Sequence, residues 1–235
     1  MSGPLLFYVR HGETEWNRAG RLQGQHDSDL TALGQLQAVR SAEILRELWE
    51  RDGRAVDDFD YVASPLGRAR ATMERVRETL GLAPGDYRTD PRLKELAFGR
   101  WEGCAYPQLQ ANEPDVLAQR ERDKWNFAPP GGESYAALLA RVRAWYATVR
   151  RYSVEVAHGG TGRALVALMH VAEPEKACVS DIDQGVVYVF AAGQFARYGR
   201  SARKQHSVAQ KKRPDERPAA GAFEKARNFR QAAMR

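Results

Sequence analysis

The sequence predicts an α/β fold, a three-layer α/β/α sandwich around a mainly parallel central sheet. Three observations carry that reading. Short apolar runs alternate with stretches of helical period in the order β-α-β-α-α-β-α-β. The first run, LLFYV at 5–9, is apolar throughout, as a strand covered on both faces requires. Three of the runs pass straight into Gly, His and Arg, as strands do when they end at a binding edge.

After the strand at 5–9, Leu33, Leu36, Ile44, Leu45 and Leu48 give a helical face over roughly 31–50. A strand at Tyr61–Ala63 runs into SPLGRAR, where Ser64 reads as an N-cap and Pro65 as the first helical residue. Leu66, Ala69, Met73, Val76 and Leu80 continue that helix as one stripe, which Gly81 closes. The stretch from about 90 to 130 mixes Gly, Pro and scattered charge and is expected to be an irregular lid or insertion. Ser134 caps the next helix, over 134–150, with Leu138, Leu139, Val142, Trp145, Tyr146 and Val149 facing inward. VEVA at 154–157 is a strand, followed by a helix from about Thr161 to His170 and a late strand in GVVYVFAAG at 185–193.

Composition bounds the function. The chain has 235 residues, and 43% apolar content is enough for a real core. No signal peptide is visible, and no apolar run approaches the ~18 residues of a membrane span. Cys104 and Cys178 are too few for a disulfide scaffold and lie in no CxxC pair, so they read as reduced thiols of a cytoplasmic protein. The net charge of +6 is localised: residues 199–235 hold 11 Lys and Arg against 3 Asp and Glu, leaving 25 basic and 27 acidic residues before them. We therefore expect one domain over 1–198 and a basic, disordered tail over 199–235. The tail alone gives little reason to expect a nucleic-acid partner. The sequence is silent on oligomeric state.

The polar residues at the strand ends define a chemistry. FYV runs into Arg10-His11-Gly12, YVA into Ser64-Pro65-Leu66-Gly67-Arg68, and VEVA into His158-Gly159-Gly160. Three strand ends carrying cationic groups to one edge make an anion site. A neutral imidazole can attack phosphorus and leave a readily hydrolysed phosphohistidine. Arg10 and Arg68 would keep His11 neutral and bind phosphoryl oxygens through charge-assisted hydrogen bonds. With that positive charge supplied by side chains, no metal and no cofactor are expected. The leaving alkoxide needs a proton, for which Glu95 in RLKELAFGRWEG is the best placed carboxyl, ahead of Glu102 and Glu133. His26 is read as lying in an exposed turn, and Trp16, Trp101 and Trp125 as packing residues.

RHGETEWN at 10–17 resembles the signature of the histidine phosphatase superfamily, the phosphoglycerate mutase-like proteins named for their RHG motif. The likeness continues in order through RLQGQHDSDLTALGQLQA (21–38), SPLGRARAT (64–72), RLKELAFGRWEG (92–103), PPGGES (129–134) and VAHGG (156–160). The resemblance implies a phosphoglycerate mutase-like sandwich and hydrolysis of a small phosphorylated substrate. It implies His11 as the phosphorylated nucleophile, Glu95 as proton donor, and Arg10, Arg68 and His158 around the phosphoryl group. Asn17, Gln23, Gly24 and Gly159 match positions lining the substrate side. One departure is Thr161-Gly162 before Arg163, where the family commonly has bulky apolar residues; the glycine is expected to loosen the helix start by up to ~1 kcal/mol.

A cofactor-dependent phosphoglycerate mutase and a non-catalytic phosphate-binding module are the alternatives. A binding module has no use for a proton donor. The mutases that this family resembles carry a long basic insertion ahead of HGG, whereas here Glu113, Asp115, Glu121 and Asp123 outweigh Arg120, Arg122 and Lys124.

Overall fold

The computed structural model describes residues 4–191 and 194–199. The expected tail therefore lies, apart from Gly199, outside the described residues. In chain order the elements are β1 (Leu6–Arg10), α1 (Glu15–Arg18), α2 (Ala32–Arg51), β2 (Asp60–Ala63), α3 (Gly67–Leu80), β3 (Arg88–Thr89), α4 (Tyr106–Asn112) and α5 (Pro114–Arg122). They continue with α6 (Tyr135–Tyr146), β4 (Ser153–Ala157), α7 (Gly159–Leu168), α8 (Pro174–Ala177), β5 (Val187–Ala191) and β6 (Gln194–Tyr198).

One sheet runs in the order β3-β2-β4-β1-β5-β6. β1, β2, β3 and β4 are mutually parallel, and β5 joins β1 antiparallel, followed by β6. Successive side chains on a strand point to opposite faces, so each central strand feeds two cores. Phe7, Val9, Val154 and Val156 pack with Leu45, Trp49, Met73 and Val76 of α2 and α3. Leu6, Tyr8 and Ala157 pack with Leu138, Val142, Ala164 and Leu165 of α6 and α7 on the other face. This is the expected three-layer sandwich. Among the described residues no helix is long and apolar enough to cross a membrane.

The register brings the site together. Arg10 pairs with Ala157, and Ala63 with Val156, so β1, β2 and β4 end side by side. The ladder continues one residue further through His11 N–H to the Ala157 carbonyl at 2.9 Å and Ser64 N–H to the Val156 carbonyl at 3.0 Å. His11, Ser64 and His158 are therefore lateral neighbours.

Several expectations need correction. α3 begins at Gly67, not at Pro65, and Ser64 does not cap it. The carboxylate of Asp27, from a distant loop, accepts Gly67 N–H at 2.7 Å and Arg68 N–H at 3.4 Å instead. Leu33 and Leu36 are 50% and 65% exposed, so only Ile44, Leu45 and Leu48 of that proposed face are buried. The 90–130 stretch is not irregular throughout: α4 and α5 place Leu109 and Leu117 on Trp101 in a small satellite core. The helix at 134–150 stops at Tyr146. α7 starts at Gly159, two residues earlier than expected, and ends at Leu168, leaving His170 beyond it at φ 54°. Gly162 has a packing reason. A Cβ there would lie 2.9 Å from both Ile182 and Tyr8, so the glycine lets α7 sit close against β1. β6, at the sheet edge, has too little apolar pattern to be seen in the sequence.

Glu155 breaks the apolar pattern of β4. It is fully buried, opposite Tyr8 and Val62, and neither carboxyl oxygen has a hydrogen-bond partner. Burial pushes its pKa well above the carboxylate range, with Asp90 adding to the effect.

Candidate active site

A cavity of about 140 Å³ opens at the carboxyl ends of β1 and β4. Its walls include Arg10, His11, Arg68, Glu95 and Gly159, with Asn17, Gln23 and Gly24 on one side. Every residue anticipated from the sequence except His158 is on this wall. His158 lies behind it, fully buried, with its ring centroid 5.2 Å from that of His11.

His11 is buried and its tautomer is fixed by its partners. A carbonyl only accepts, so the contact of Nδ1 with the Gly12 carbonyl at 2.8 Å puts the proton on Nδ1. Nε2 then keeps its lone pair, and the Nε–H of Arg68 points at it from 3.3 Å. Burial lowers the pKa of His11 well below the usual 6.5, and Arg68 and then Arg10 lower it further. The cations expected to keep the ring neutral are thus the second cause, after desolvation.

Arg68 has a fully buried side chain, and its guanidinium is almost entirely committed to fixing the pocket. It donates to the carbonyls of Gly24 and His26, both at 2.7 Å, and to the Asp27 carboxylate at 3.0 Å. One loop, 24–27, is held on α3 by this residue, while Asp27 caps the same helix. Arg10 donates to the Ile182 carbonyl at 2.8 Å, and its buried Nε has no partner. His158 Nε2 lies 2.7 Å from the Ser64 hydroxyl, and its buried Nδ1 has no partner. Burial lowers the His158 pKa well below 6.5, with Arg68, His11 and Arg10 acting in the same direction.

Glu95 is the only carboxyl group on the cavity wall among the described residues. It accepts from the Gly160 N–H at the start of α7, at 3.0 and 3.2 Å, and from Leu96 N–H at 2.8 Å. That approach needs glycine: a Cβ on Gly160 would lie 2.2 Å from Glu95 Oε1. The competing acids are spent elsewhere. Glu133 pairs with Arg141 at 2.7 Å, and Glu102 accepts from Gln25 N–H and Phe98 N–H, both at 3.0 Å. Arg141 also donates to the carbonyls of Arg92, Lys94 and Glu95 at 2.6 to 3.0 Å, which pins the loop that carries Glu95.

Sequence reasoning missed Arg21, Leu22, Phe98 and Arg163 on the wall, and Asp27 and Arg141 behind it. Arg163 had a signal: it follows Gly159 by four residues, one helical turn along the same face of α7. Asp27 had none, because its partners are some 40 residues away. Nothing from 104–130 lines this cavity. His26 lies in an exposed turn, and Trp101 and Trp125 are packed, as expected. Among the described residues no group of three His, Cys, Asp or Glu is arranged to hold a metal.

The fold and the pocket define an α/β protein with an anion site built from His and Arg at three strand ends. The profile of the histidine phosphatase superfamily (branch 1) matches residues 6–196. A glucosyl-3-phosphoglycerate phosphatase of Mycobacterium tuberculosis is 35% identical over 83% of this chain and 74% of its own length. A 2,3-bisphosphoglycerate-dependent phosphoglycerate mutase of Afipia carboxidovorans is 31% identical over 81% of this chain and 92% of its own. The solved native structure of a mycobacterial glucosyl-3-phosphoglycerate phosphatase superposes with a TM-score of 0.68 at 30% identity, covering 81% of this chain and 91% of that one. The chain belongs to the histidine phosphatase superfamily. By class it is an enzyme, a phosphatase.

Proposed function

We propose that this protein hydrolyses small phosphomonoesters through a phosphohistidine on His11. The observation that carries the reading is the buried, neutral His11 with Nδ1–H held by Gly12 and its Nε2 lone pair beside Arg68. Nε2 attacks phosphorus while the bond to the ester oxygen breaks. Glu95, in its acid form, gives that oxygen a proton. Water then attacks the phosphohistidine, Glu95 takes the proton back, the P–N bond breaks, and inorganic phosphate leaves.

Arg10 and Arg68 supply charge for the phosphoryl oxygens, with Arg21 and Arg163 on the same wall. The unpartnered buried Nε of Arg10 and Nδ1 of His158 are the donors that a phosphoryl group would satisfy. Ser64 can donate its hydroxyl proton to His158 Nε2, which leaves the proton of that ring on Nδ1. Asn17, Gln23, Gly24 and Gly159 shape the substrate side. The catalytic step needs no metal and no cofactor, and the basic segment 199–235 takes no part in it. Two free cysteines, Cys104 and Cys178, fit a cytoplasmic setting.

Interconversion of phosphoglycerates is the second reading, favoured by the mutase relative. Against it stands the acidic balance of 104–130 and its absence from the cavity wall. Steady-state assays separate the two. Phenyl phosphate should release inorganic phosphate in the presence of EDTA, and His11→Ala should release none. Conversion of 3-phosphoglycerate to 2-phosphoglycerate at a comparable rate, stimulated by a bisphosphoglycerate, would establish the mutase. Activity lost with chelator and restored by Mg²⁺ or Zn²⁺ would contradict the metal-free route.

A further inference from the structure

Thr72 of α3 is fully buried and does not line the cavity, yet it touches both halves of the nucleophilic pair. Its hydroxyl makes two hydrogen bonds. It accepts the Gly12 N–H at 3.0 Å and lies 2.8 Å from the Arg68 carbonyl. An amide N–H only donates and a carbonyl only accepts, so the single hydroxyl proton goes to Arg68. A threonine inside a helix often reaches back to the carbonyl four residues earlier. The bond from Gly12 is of another kind, because it joins the helix to the end of β1, 60 residues away in the chain.

These bonds close a ring. Arg68 Nε points at His11 Nε2 from 3.3 Å, His11 is followed by Gly12, and the Gly12 N–H returns through the Thr72 hydroxyl to Arg68. Gly12 also carries the carbonyl that takes Nδ1–H of His11 at 2.8 Å. Its far side is fixed from α2. Glu13 N–H donates to Gln37 Oε1 at 2.7 Å, and a Cβ on Gly12 would lie 2.2 Å from the Gly34 carbonyl oxygen. Gly12 is thus clamped between two helices, and Thr72 is the clamp on the helix that carries Arg68.

We infer that Thr72 is a positioning residue, whose hydroxyl couples the strand end bearing His11 to the helix bearing Arg68 and so holds Nε2 of His11 facing that guanidinium. This role rests on the hydrolase reading above. Without the hydroxyl, the buried Gly12 N–H loses its partner, and the strand end moves to find another. A displacement of about 1 Å at a nucleophile costs up to roughly 100-fold in rate.

Three variants test it. Thr72→Val keeps the shape and removes the hydroxyl, Thr72→Ala removes it with a residue that favours the helix, and Thr72→Ser keeps it. With phenyl phosphate, kcat and kcat/KM should fall together by roughly 10–100-fold in the first two, with KM nearly constant. Thr72→Ser should recover most of that loss. Ring ¹⁵N spectra should show His11 protonated on Nδ1 alone in the wild type and a mixture of tautomers in Thr72→Val. Four results overturn the role: a kcat within about twofold of wild type in Thr72→Val, a loss there with the His11 ring spectrum unchanged, an equal loss in Thr72→Ser, or failure of both hydroxyl-free variants to fold. A wild type that turns over no phenyl phosphate overturns the hydrolase reading instead, and the ring spectra still decide whether Thr72 orients His11.

Discussion

At the scale of single residues, the site depends on which proton sits where. Nδ1 of His11 is committed to a carbonyl, so Nε2 holds the lone pair that the proposed attack on phosphorus requires. Glu95 is the one wall carboxyl among the described residues and the proposed donor of a proton to the leaving oxygen. Glu95→Gln should therefore slow alkyl phosphates by roughly 10²–10⁴-fold. Aryl phosphates, whose phenolate leaves unaided, should lose far less; equal losses on both would assign Glu95 a positioning role. The depressed pKa values of His11 and His158 have a definite sign in stability. Both rings stay neutral in the fold while the unfolded chain takes up protons below pH ~6.5. Their contribution is present above that value and is lost as pH falls towards the folded pKa values, by up to about 1.4 kcal/mol per pH unit for each ring. Urea unfolding at pH 7.5 and 5.5 should show this loss, and His11→Asn should make it smaller. The acid limb of kcat/KM should likewise lie below pH 6.5. An unchanged stability slope in the variant would mean that His11 does not carry the effect.

At the scale of elements, β1, β2, β4 and the helices after them were legible because apolar runs and strand-end glycines are local signals. The stripe Leu66, Ala69, Met73, Val76 and Leu80 is buried throughout. What was illegible is tertiary. α4 and α5 bury only Leu109 and Leu117, respectively, and neither N-cap is made by its own side chain, so no local pattern announces them. Ser64 has the chemistry of a cap, yet its hydroxyl lies against His158 while Asp27 caps α3 from a distance. Glu155 shows how firmly the sheet overrides preference, since a carboxyl group is held unpartnered in a central strand. Its raised pKa has the opposite sign to that of the histidines. The fold keeps Glu155 protonated while the unfolded chain ionises above pH ~4.5, so stability is lost as pH rises towards the folded pKa. Glu155→Gln removes this titration and should raise Tm at pH 8 more than at pH 4. An equal change at the two pH values would show that the carboxyl does not ionise differently in the two states.

At the scale of the whole molecule, one sheet edge organises everything: parallel strands deliver His11, the Ser64 segment and His158 side by side, and two helix starts close around them. Arg10, His11, Arg68 and His158 could be proposed from sequence because each sits at or just beyond a strand end, and Glu95 because it is the best placed carboxyl in the RLKELAFGRWEG segment. The central claim is that the phosphoryl group passes through His11. Rapid quenching of the enzyme with ³²P-labelled phenyl phosphate tests it most directly. The account predicts label that survives alkali and is lost in acid, carried on the peptide that contains His11 and absent from His11→Ala. Turnover with no covalent label on the time scale of the reaction, or label on a residue other than His11, would contradict it.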